Sequence, residues 1–207
     1  MKYVNEFLNF KCAPDILAIS GQMKNWPKEI SEAMAIRKWV KEIVLKAPDK
    51  WVNLDLCSGN ALVPLLNAFS LPLDISIAVD KQERKNLNWS RVKGFHYYND
   101  DIFSEEFKTK TELWGKHYPI IFTAAHACKN LATKIIELYN QYEGEKQLIL
   151  MPCCIGKYDP MIPEALRKMS DYEQWCYWLY NQIDSKNKKM TKDTHVISPR
   201  NIILRTE

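Results

Sequence analysis

Glycine is scarce in this 207-residue chain, which has 6 of them, and long apolar runs are absent. No run approaches the roughly 18 apolar residues that a membrane-spanning helix needs. The first residues, MKYVNE, lack the charged-then-apolar order of a secretory signal peptide. Together these absences predict a soluble, cytoplasmic protein.

The 6 cysteines lack any C-x-x-C spacing, the arrangement that is typical of zinc sites and redox motifs. A disulfide framework is not expected either, because the chain is of enzyme size and shows no export signal. Reduced thiols are therefore the default prediction, and we expect no metal.

Charge of neither sign is in large excess, since 29 Lys and Arg against 25 Asp and Glu leave a net charge of +4. Four lysines lie close together near the C-terminus, at Lys186, Lys188, Lys189 and Lys192. Such a group either contacts phosphates or forms a solvated loop.

The length and a hydrophobic content of 46% predict one domain over residues 1–207. Apolar spacing over residues 27–44, behind Trp26 and Pro27, predicts a helix. We expect residues 1–47 to form an N-terminal helical segment, acting as a lid or as plain core-capping helices. Residues 48–207 are then the α/β core.

Residues 51–61, WVNLDLCSGNA, carry the most informative pattern. They predict a short apolar strand that breaks into a turn of small residues, with an apolar helix following from Leu62. Small side chains let the backbone approach a ligand, and the helix N-terminus offers free N–H groups. A nucleotide-type cofactor site is expected here, formed by Asp55, Cys57, Ser58, Gly59 and Asn60.

Two further strands also end in acids. The run ISIAV leads into Asp80 and Lys81, about twenty residues past the turn, and FHYY leads to Asp100 and Asp101. Parallel strands deliver their carboxyl ends to the edge where open α/β sheets bind ligands. The alternative is that each acid is a helix N-cap. The β-α-β-α-β order favours the ligand interpretation.

The segment DLCSG, residues 55–59, resembles the first motif of the class I S-adenosylmethionine (SAM)-dependent methyltransferases, in the variant where Cys replaces a first Gly. The resemblance implies a Rossmann-like α/β fold, with strand order 3-2-1-4-5-7-6 and helices on both faces. It also implies that Asp80 binds the SAM ribose and that Asp100 or Asp101 receives the adenine amino group. The chain departs from the motif at Ala61, where Gly is usual.

A phosphate-binding NAD or FAD site is the natural rival at such a turn. Gly59 is the only glycine in the turn, however, so the G-x-G-x-x-G fingerprint is absent. SAM carries no phosphate and has a zwitterionic methionine end, which suits a small-residue turn with Asp55 near the amino group.

Two later strands open into unusual segments. The fourth is predicted over residues 118–123 and is followed by AAHACKNL, residues 124–131. The fifth is predicted over residues 147–151 and is followed by PCCIGK, residues 152–157. Because the first, fourth and fifth strands are neighbours in the expected order, several chemically reactive side chains should gather around one cleft. These are Cys57, His126, Cys128, Cys153 and Cys154.

These two segments resemble a narrower branch of the superfamily, which pairs H-x-C-G-x-L after strand four with a C-C pair after strand five. The branch includes tRNA 2′-O-methyltransferases. Lys129 stands where the branch has Gly.

The residues after the fourth strand of this fold lie beside the SAM methyl group. His126 could therefore orient or deprotonate an acceptor hydroxyl or amine, and it could equally be a helix-capping or core histidine. We place Lys129 with it as a catalytic candidate and Ala124 against the cofactor. Lys157 is a candidate for contact with a phosphate or acidic substrate.

The cysteines leave three interpretations open. Packing in an intracellular core is the commonest fate of such residues. A zinc site is opposed by the lack of C-x-x-C and by the adjacent Cys153 and Cys154, which do not easily give two tetrahedral ligands. Nucleophilic attack on a pyrimidine would require a lowered thiol pKa. We assign Cys153 and Cys154 to substrate binding.

The C-terminal part predicts an aromatic-rich helical segment over residues 162–169 and 172–180. After it, residues 194–197 and 201–205 flank a Ser-Pro-Arg turn and predict a hairpin. A terminal antiparallel hairpin is how the class I methyltransferases finish their sheet.

The resemblance implies methyl transfer from SAM to an oxygen or nitrogen acceptor, in RNA and in tRNA in particular, with S-adenosylhomocysteine (SAH) as product. A second hypothesis is a methyltransferase of the same fold that acts on a protein or small molecule. A third is a SAM-binding module without turnover, or a subunit that supports a partner.

Overall fold

The computed structural model describes residues 1–21, 23–48, 50–84, 88–158 and 168–207. The helices are α1 (Lys2–Leu8), α2 (Ala13–Ser20), α3 (Trp26–Val44), α4 (Leu62–Ser70), α5 (Glu105–Gly115), α6 (Asn130–Gln141) and α7 (Asp171–Gln182), with a 3-10 turn at Trp89–Arg91. The strands are β1 (Val52–Leu56), β2 (Ile75–Asp80), β3 (Phe95–Asn99), β4 (Ile120–Ala127), β5 (Lys146–Pro152), β6 (Lys188–Lys192) and β7 (Ile202–Thr206).

All these strands form one mixed sheet in the order β3-β2-β1-β4-β5-β7-β6. Strands β1 to β5 pair in parallel, whereas β7 pairs antiparallel with both β5 and β6. This is the order expected of a Rossmann-like class I methyltransferase fold, so the predicted fold class is confirmed.

The strand order reverses at β1, which pairs with β2 on one side and with β4 on the other. The connections from β1 lead outward through β2 and β3, and the chain then crosses back to β4. Such a switch point opens a crevice outside the carboxyl ends of the strands, where ligands bind in open α/β sheets. The fold therefore places a crevice beside the end of β1.

Helices cover both faces of the sheet, and neighbouring residues of one strand point to opposite layers. Ile121 packs with the layer formed by α1 to α4, whereas the next residue, Phe122, packs with the layer formed by α5 to α7. This alternation follows from the two-residue period of a strand. Helices α1 to α3 thus belong to the main core, and a covering role for residues 1–47 stays a prediction.

The hairpin prediction was wrong in its first strand. Residues 194–197 form turns, and β6 consists instead of the lysine-rich Lys188–Lys192. Lysines on an outer strand keep its open edge from pairing with other chains. The predicted helical residues 162–167 lie outside the described residues.

The fourth strand is longer than predicted, because β4 continues from Thr123 to Ala127 and includes His126. None of the helices in the described parts of the chain is long and apolar enough to cross a membrane.

A buried polar network crosses the centre of the sheet. The amide of Asn53 on β1 donates to the hydroxyl of Thr123 on β4 at 2.8 Å, and its oxygen accepts from Asn67 of α4 at 2.8 Å. Thr123 in turn donates to a carboxylate oxygen of Asp55 at 2.8 Å. All four side chains are buried. The network therefore ties two strands and a helix together directly beneath the crevice.

We predict that Asn53→Ala lowers the free energy of unfolding by about 2–3 kcal/mol, because it leaves buried polar partners unsatisfied. The matched control is Asn181→Ala, since Asn181 is exposed and donates to a carbonyl of its own helix. That control should change stability by less than about 0.5 kcal/mol. Urea unfolding followed by circular dichroism measures both. Equal effects of the two substitutions would contradict the structural role of the network.

Candidate functional site

A cavity of about 440 Å³ opens at the carboxyl ends of β1 and β4. Its volume lies in the range of about 300–1,000 Å³ that is usual for small-molecule sites. The lining includes Asp55, Cys57, Ser58, Gly59 and Asn60, all predicted from the sequence, together with His126.

The turn between β1 and α4 is bent by left-handed backbone at alternate residues. The φ angles are 60° at Cys57, 55° at Gly59 and 58° at Ala61. Only glycine adopts this conformation without cost, and each of the other two residues loses about 1–2 kcal/mol. A turn that keeps such strain is held by its surroundings, and strain of this kind concentrates at ligand sites.

Ser58 holds the turn against the sheet. Its hydroxyl donates to the carbonyl of Asp55 at 2.6 Å and accepts from the N–H of Val79 at 3.1 Å. Its own N–H donates to the carbonyl of Val79 at 3.0 Å. The turn is therefore fixed to both β1 and β2.

Asp80 links the end of β2 to the same turn. One of its carboxylate oxygens accepts from the N–H of Gly59 at 2.7 Å, and the other accepts from the N–H of Gln82 at 2.8 Å. A carboxylate oxygen can accept a second hydrogen bond. Asp80 is thus held rigidly and keeps one further acceptor position on each oxygen, as two neighbouring ribose hydroxyls require.

Asp55 lies at the floor of the cavity and is only 2% exposed. Burial raises the pKa of its carboxyl group to about 7, against the opposing effect of the hydrogen bond from Thr123. The side chain can therefore hold either a proton or a negative charge near neutral pH, depending on what lies next to it.

The cavity is also lined by cationic side chains that sequence analysis missed. Lys24, Lys28 and Arg84 all reach the cavity, and Arg84 donates to the carbonyl of Gly59 at 3.1 Å. Glu29 also lies there and accepts from the amide of Asn60 at 3.1 Å. This part of the cavity lining thus contains positively charged side chains and a hydrogen bond that joins α3 to the turn.

His126 lies in the cavity on an irregular stretch of β4, with a φ angle of 64°. The pairing of β4 with β5 shifts register between Ala125 and Ala127, so His126 is bulged out of the ladder. This bulge directs its side chain away from the regular strand positions and makes it 38% exposed.

Behind His126 lies Glu32 of α3, whose side chain is 1% exposed. Its Oε2 is 2.7 Å from Nε2 of His126, yet this oxygen has no partner of good hydrogen-bond geometry among the described residues. The other oxygen lies 3.5 Å from Nζ of Lys28. Glu32 is therefore a buried acid whose closest contact is the imidazole in the cavity.

Several predicted residues are not part of the cavity lining. Lys81 and Asp101 pair with each other at 2.7 Å, and Asp100 pairs with Lys110 at 3.0 Å. The backbone N–H of Asp100 nevertheless donates to the carbonyl of Asp80 at 3.2 Å, so these acids lie beside the turn. Asp80 is also outside the lining, although it bonds to Gly59 within it. The remaining predicted residues outside the lining are Ala124, which is buried, the exposed Lys129 and Lys157, and the adjacent Cys153 and Cys154.

The cysteines do not gather in one cleft, which corrects the prediction. Cys57 lines the cavity, and burial together with the nearby Asp80 raises its thiol pKa to about 12. A thiol of that kind is not a ready nucleophile. Cys128 and Cys153 instead form a disulfide, with Cys154 beside them, so the expectation of reduced thiols is wrong for this pair.

No family model matches the chain, and no curated protein matches it in sequence. The solved structures that resemble it include a Streptococcus pneumoniae protein proposed to be a tRNA (m1A22) methyltransferase, with 13% identity, 82% of this chain and 68% of that chain covered, and a TM-score of 0.47. A second is the antibiotic-resistance methyltransferase Kmr, with 14% identity, 83% of this chain and 92% of that chain covered, and a TM-score of 0.41. A third is a proposed methyltransferase of Streptococcus mutans in complex with SAH, with 13% identity, 89% of this chain and 99% of that chain covered, and a TM-score of 0.39. Likenesses this distant carry no argument about activity, and the fold rests on the strand order itself.

Helix α3 supplies three of the residues that sequence analysis missed, namely Lys28, Glu29 and Glu32. Its apolar spacing predicts a lid or core-capping helix and names no side chain of the site, whereas the helix start at Trp26 and Pro27 brings Lys28 and Glu29 to the crevice. The sequence does not indicate Glu32 as a site residue, because a carboxylate one turn after Lys28 on an amphipathic helix is ordinarily exposed.

We predict a specific pH dependence of stability from Asp55. Between about pH 4 and pH 7 the unfolded chain releases this proton while the folded chain keeps it, so the group makes folding less favourable as the pH rises. Asp55→Asn cannot ionise and should therefore gain roughly 3 kcal/mol relative to the parent protein between pH 5 and pH 8. Urea unfolding at the two pH values measures this difference. Parallel pH profiles for the two proteins would show that Asp55 ionises normally.

Proposed function

We propose that the chain is a SAM-dependent methyltransferase that modifies an oxygen or nitrogen atom of RNA, with tRNA as the leading substrate. One observation carries the cofactor assignment: the carboxylate of Asp80 is fixed by the N–H of Gly59, a residue that lines a cavity of cofactor size. This arrangement leaves acceptor positions for the two hydroxyls of a ribose.

The other cavity residues fit the rest of SAM. Asp55 would face the methionine ammonium group, which favours the ionised form of its carboxyl group. Lys28 and Arg84 supply positive charge for the methionine carboxylate. A pyrophosphate fits less well, because two acids, Asp55 and Asp80, adjoin the turn. When bound, SAM supplies a methyl group that is already activated on a sulfonium.

The backbone at two departures from the resembled motifs also supports the proposal. Ala61 and Lys129 occupy positions where the resembled patterns have glycine, and their φ angles are 58° and 51°. This is the left-handed region that glycine adopts most readily. The backbone at both positions is therefore one that glycine would adopt without cost, as the resembled patterns require.

Catalysis would rest mainly on alignment of the acceptor with the methyl group. His126 would orient or deprotonate the acceptor, because its imidazole lies in the cavity and is partly exposed. Glu32 would act as a positioning residue that orients the imidazole from behind. Lys129 and Lys157 are exposed and are better suited to contact the acceptor strand than to take part in chemistry.

RNA is favoured as the acceptor by cations that the cofactor does not use, namely Lys24 in the cavity lining and the exposed Lys129 and Lys157. With a protein or small-molecule acceptor, these cationic side chains would have no acceptor phosphates to contact. A SAM-binding module without turnover would bind SAM and produce no SAH with any substrate pool. The buried carboxylate of Glu32, with Oε2 at 2.7 Å from Nε2 of His126, favours an active enzyme over that module.

We predict that the protein binds SAM and SAH with micromolar affinity in calorimetric titration and that Asp80→Ala weakens binding at least about 100-fold. The loss follows from removal of the charged acceptor for ribose and of the anchor for the turn. The matched control is Asp74→Ala, because Asp74 is exposed and precedes the opposite end of the same strand. That control should leave affinity unchanged. Undiminished binding by the Asp80 variant would refute the cofactor assignment.

We predict that His126→Ala lowers methyl transfer about 100-fold and that Glu32→Gln lowers it about 10-fold, while both keep the parent affinity for SAM. The assay is transfer of tritiated methyl groups from SAM to pools of unmodified tRNA, protein and metabolites. Glu42→Gln serves as the control on the same helix, because Glu42 is exposed. A Glu32 variant with normal kcat and raised KM would instead point to a role in binding. Turnover in the protein or metabolite pool alone would overturn the RNA assignment.

A further inference from the structure

Three cysteines outside the cavity converge at the carboxyl ends of β4 and β5. Cys128 follows β4, and Cys153 and Cys154 follow β5. The sulfur of Cys154 lies 3.3 Å from that of Cys128 and 3.5 Å from that of Cys153. We call these three residues the three-cysteine cluster.

We propose that the three-cysteine cluster, in its reduced form, binds one zinc ion. All three sulfurs lie within 4.8 Å of one another, which is the convergence that a single ion requires. Zinc holds thiolates at about 2.3 Å in tetrahedral directions, so its sulfur ligands lie roughly 3.8 Å apart. The observed separations of Cys154 need to grow by only a few tenths of an ångström.

The sulfurs of Cys153 and Cys154 can bind the same zinc ion although the two residues are adjacent in the sequence. In an extended strand, successive side chains point to opposite faces. Here β5 ends at Pro152 and the chain bends at Cys154, so both sulfurs turn toward Cys128. A hydrogen bond from the N–H of Lys129 to the carbonyl of Cys154, at 3.4 Å, joins the two segments.

Charge and ligand type favour zinc over other soft ions. Three thiolates carry three negative charges, which a divalent ion reduces to one and a monovalent copper ion only to two. The exposed Lys129 and Lys157 lie close to the cluster in the chain and can offset the remaining charge. Cys154 is exposed, so water has access to the fourth position that three protein ligands leave open.

The disulfide and the metal site are alternative states of the same sulfurs. A dithiol reductant would transfer two electrons and two protons to the Cys128–Cys153 bond, giving two thiols and a cyclic disulfide of the reductant. Zinc would then bind as the three thiols release their protons. Oxidation of Cys128 and Cys153 leaves Cys154 as the only thiolate of the cluster.

The test is a zinc titration of the reduced full-length protein, freed of reductant without exposure to air, in competition with a chromophoric chelator. We expect one zinc per chain in the parent protein. Co²⁺ in place of zinc should give the near-ultraviolet charge-transfer absorption of thiolate ligands. Reoxidation of the protein with diamide should abolish the binding of both ions.

Variants separate the cluster from the other cysteines. Cys154→Ser should lower zinc affinity at least 100-fold, and its exposed position makes misfolding a minor concern. Cys12→Ser is the matched control, because Cys12 lies at the start of α2, and it should bind zinc as the parent does. Failure of the reduced parent to take up zinc at micromolar concentration would overturn the proposal. Equal affinity in the parent and in a Cys128, Cys153 and Cys154 triple serine variant would overturn it as well.

Discussion

The buried hydrogen-bond network from Asn67 through Asn53 and Thr123 to Asp55 is the constraint on which the site depends. Polar groups in a sheet core are costly unless they are paired, and each pairing fixes the relative position of the elements it joins. Here the elements are α4, β1 and β4, which meet at the switch point. The network therefore fixes β1, β4 and α4 relative to one another next to the turn that follows β1.

The backbone of the turn after β1 is energetically unfavourable, and hydrogen bonds from neighbouring residues stabilise it. Left-handed backbone at Cys57 and Ala61 is unfavourable, and contacts from Ser58 and Asp80 hold it in place. The result is a site whose backbone needs little rearrangement when a ligand binds. An affinity gained in this way comes from pre-organisation rather than from a larger number of contacts.

The parts of the site that follow from local sequence could be predicted, and the parts that depend on packing could not. Small residues after β1 and an acid after β2 indicated the turn and Asp80, because their spacing is set within one β-α-β unit. Glu32 reaches His126 only through the packing of α3 against β4, which no local pattern encodes. Strand β6 was missed because pairing with β7, rather than apolar alternation, defines a lysine-rich edge strand.

The central claim is that the crevice beside β1 is a SAM site, and a crystal structure of the protein with SAH tests it most directly. The account predicts SAH in the cavity between the turn and α3, with both ribose hydroxyls on the carboxylate of Asp80 and the homocysteine end toward Asp55. The sulfur should then point to the side on which His126 lies. SAH bound elsewhere, or with its ribose away from Asp80, would contradict the account.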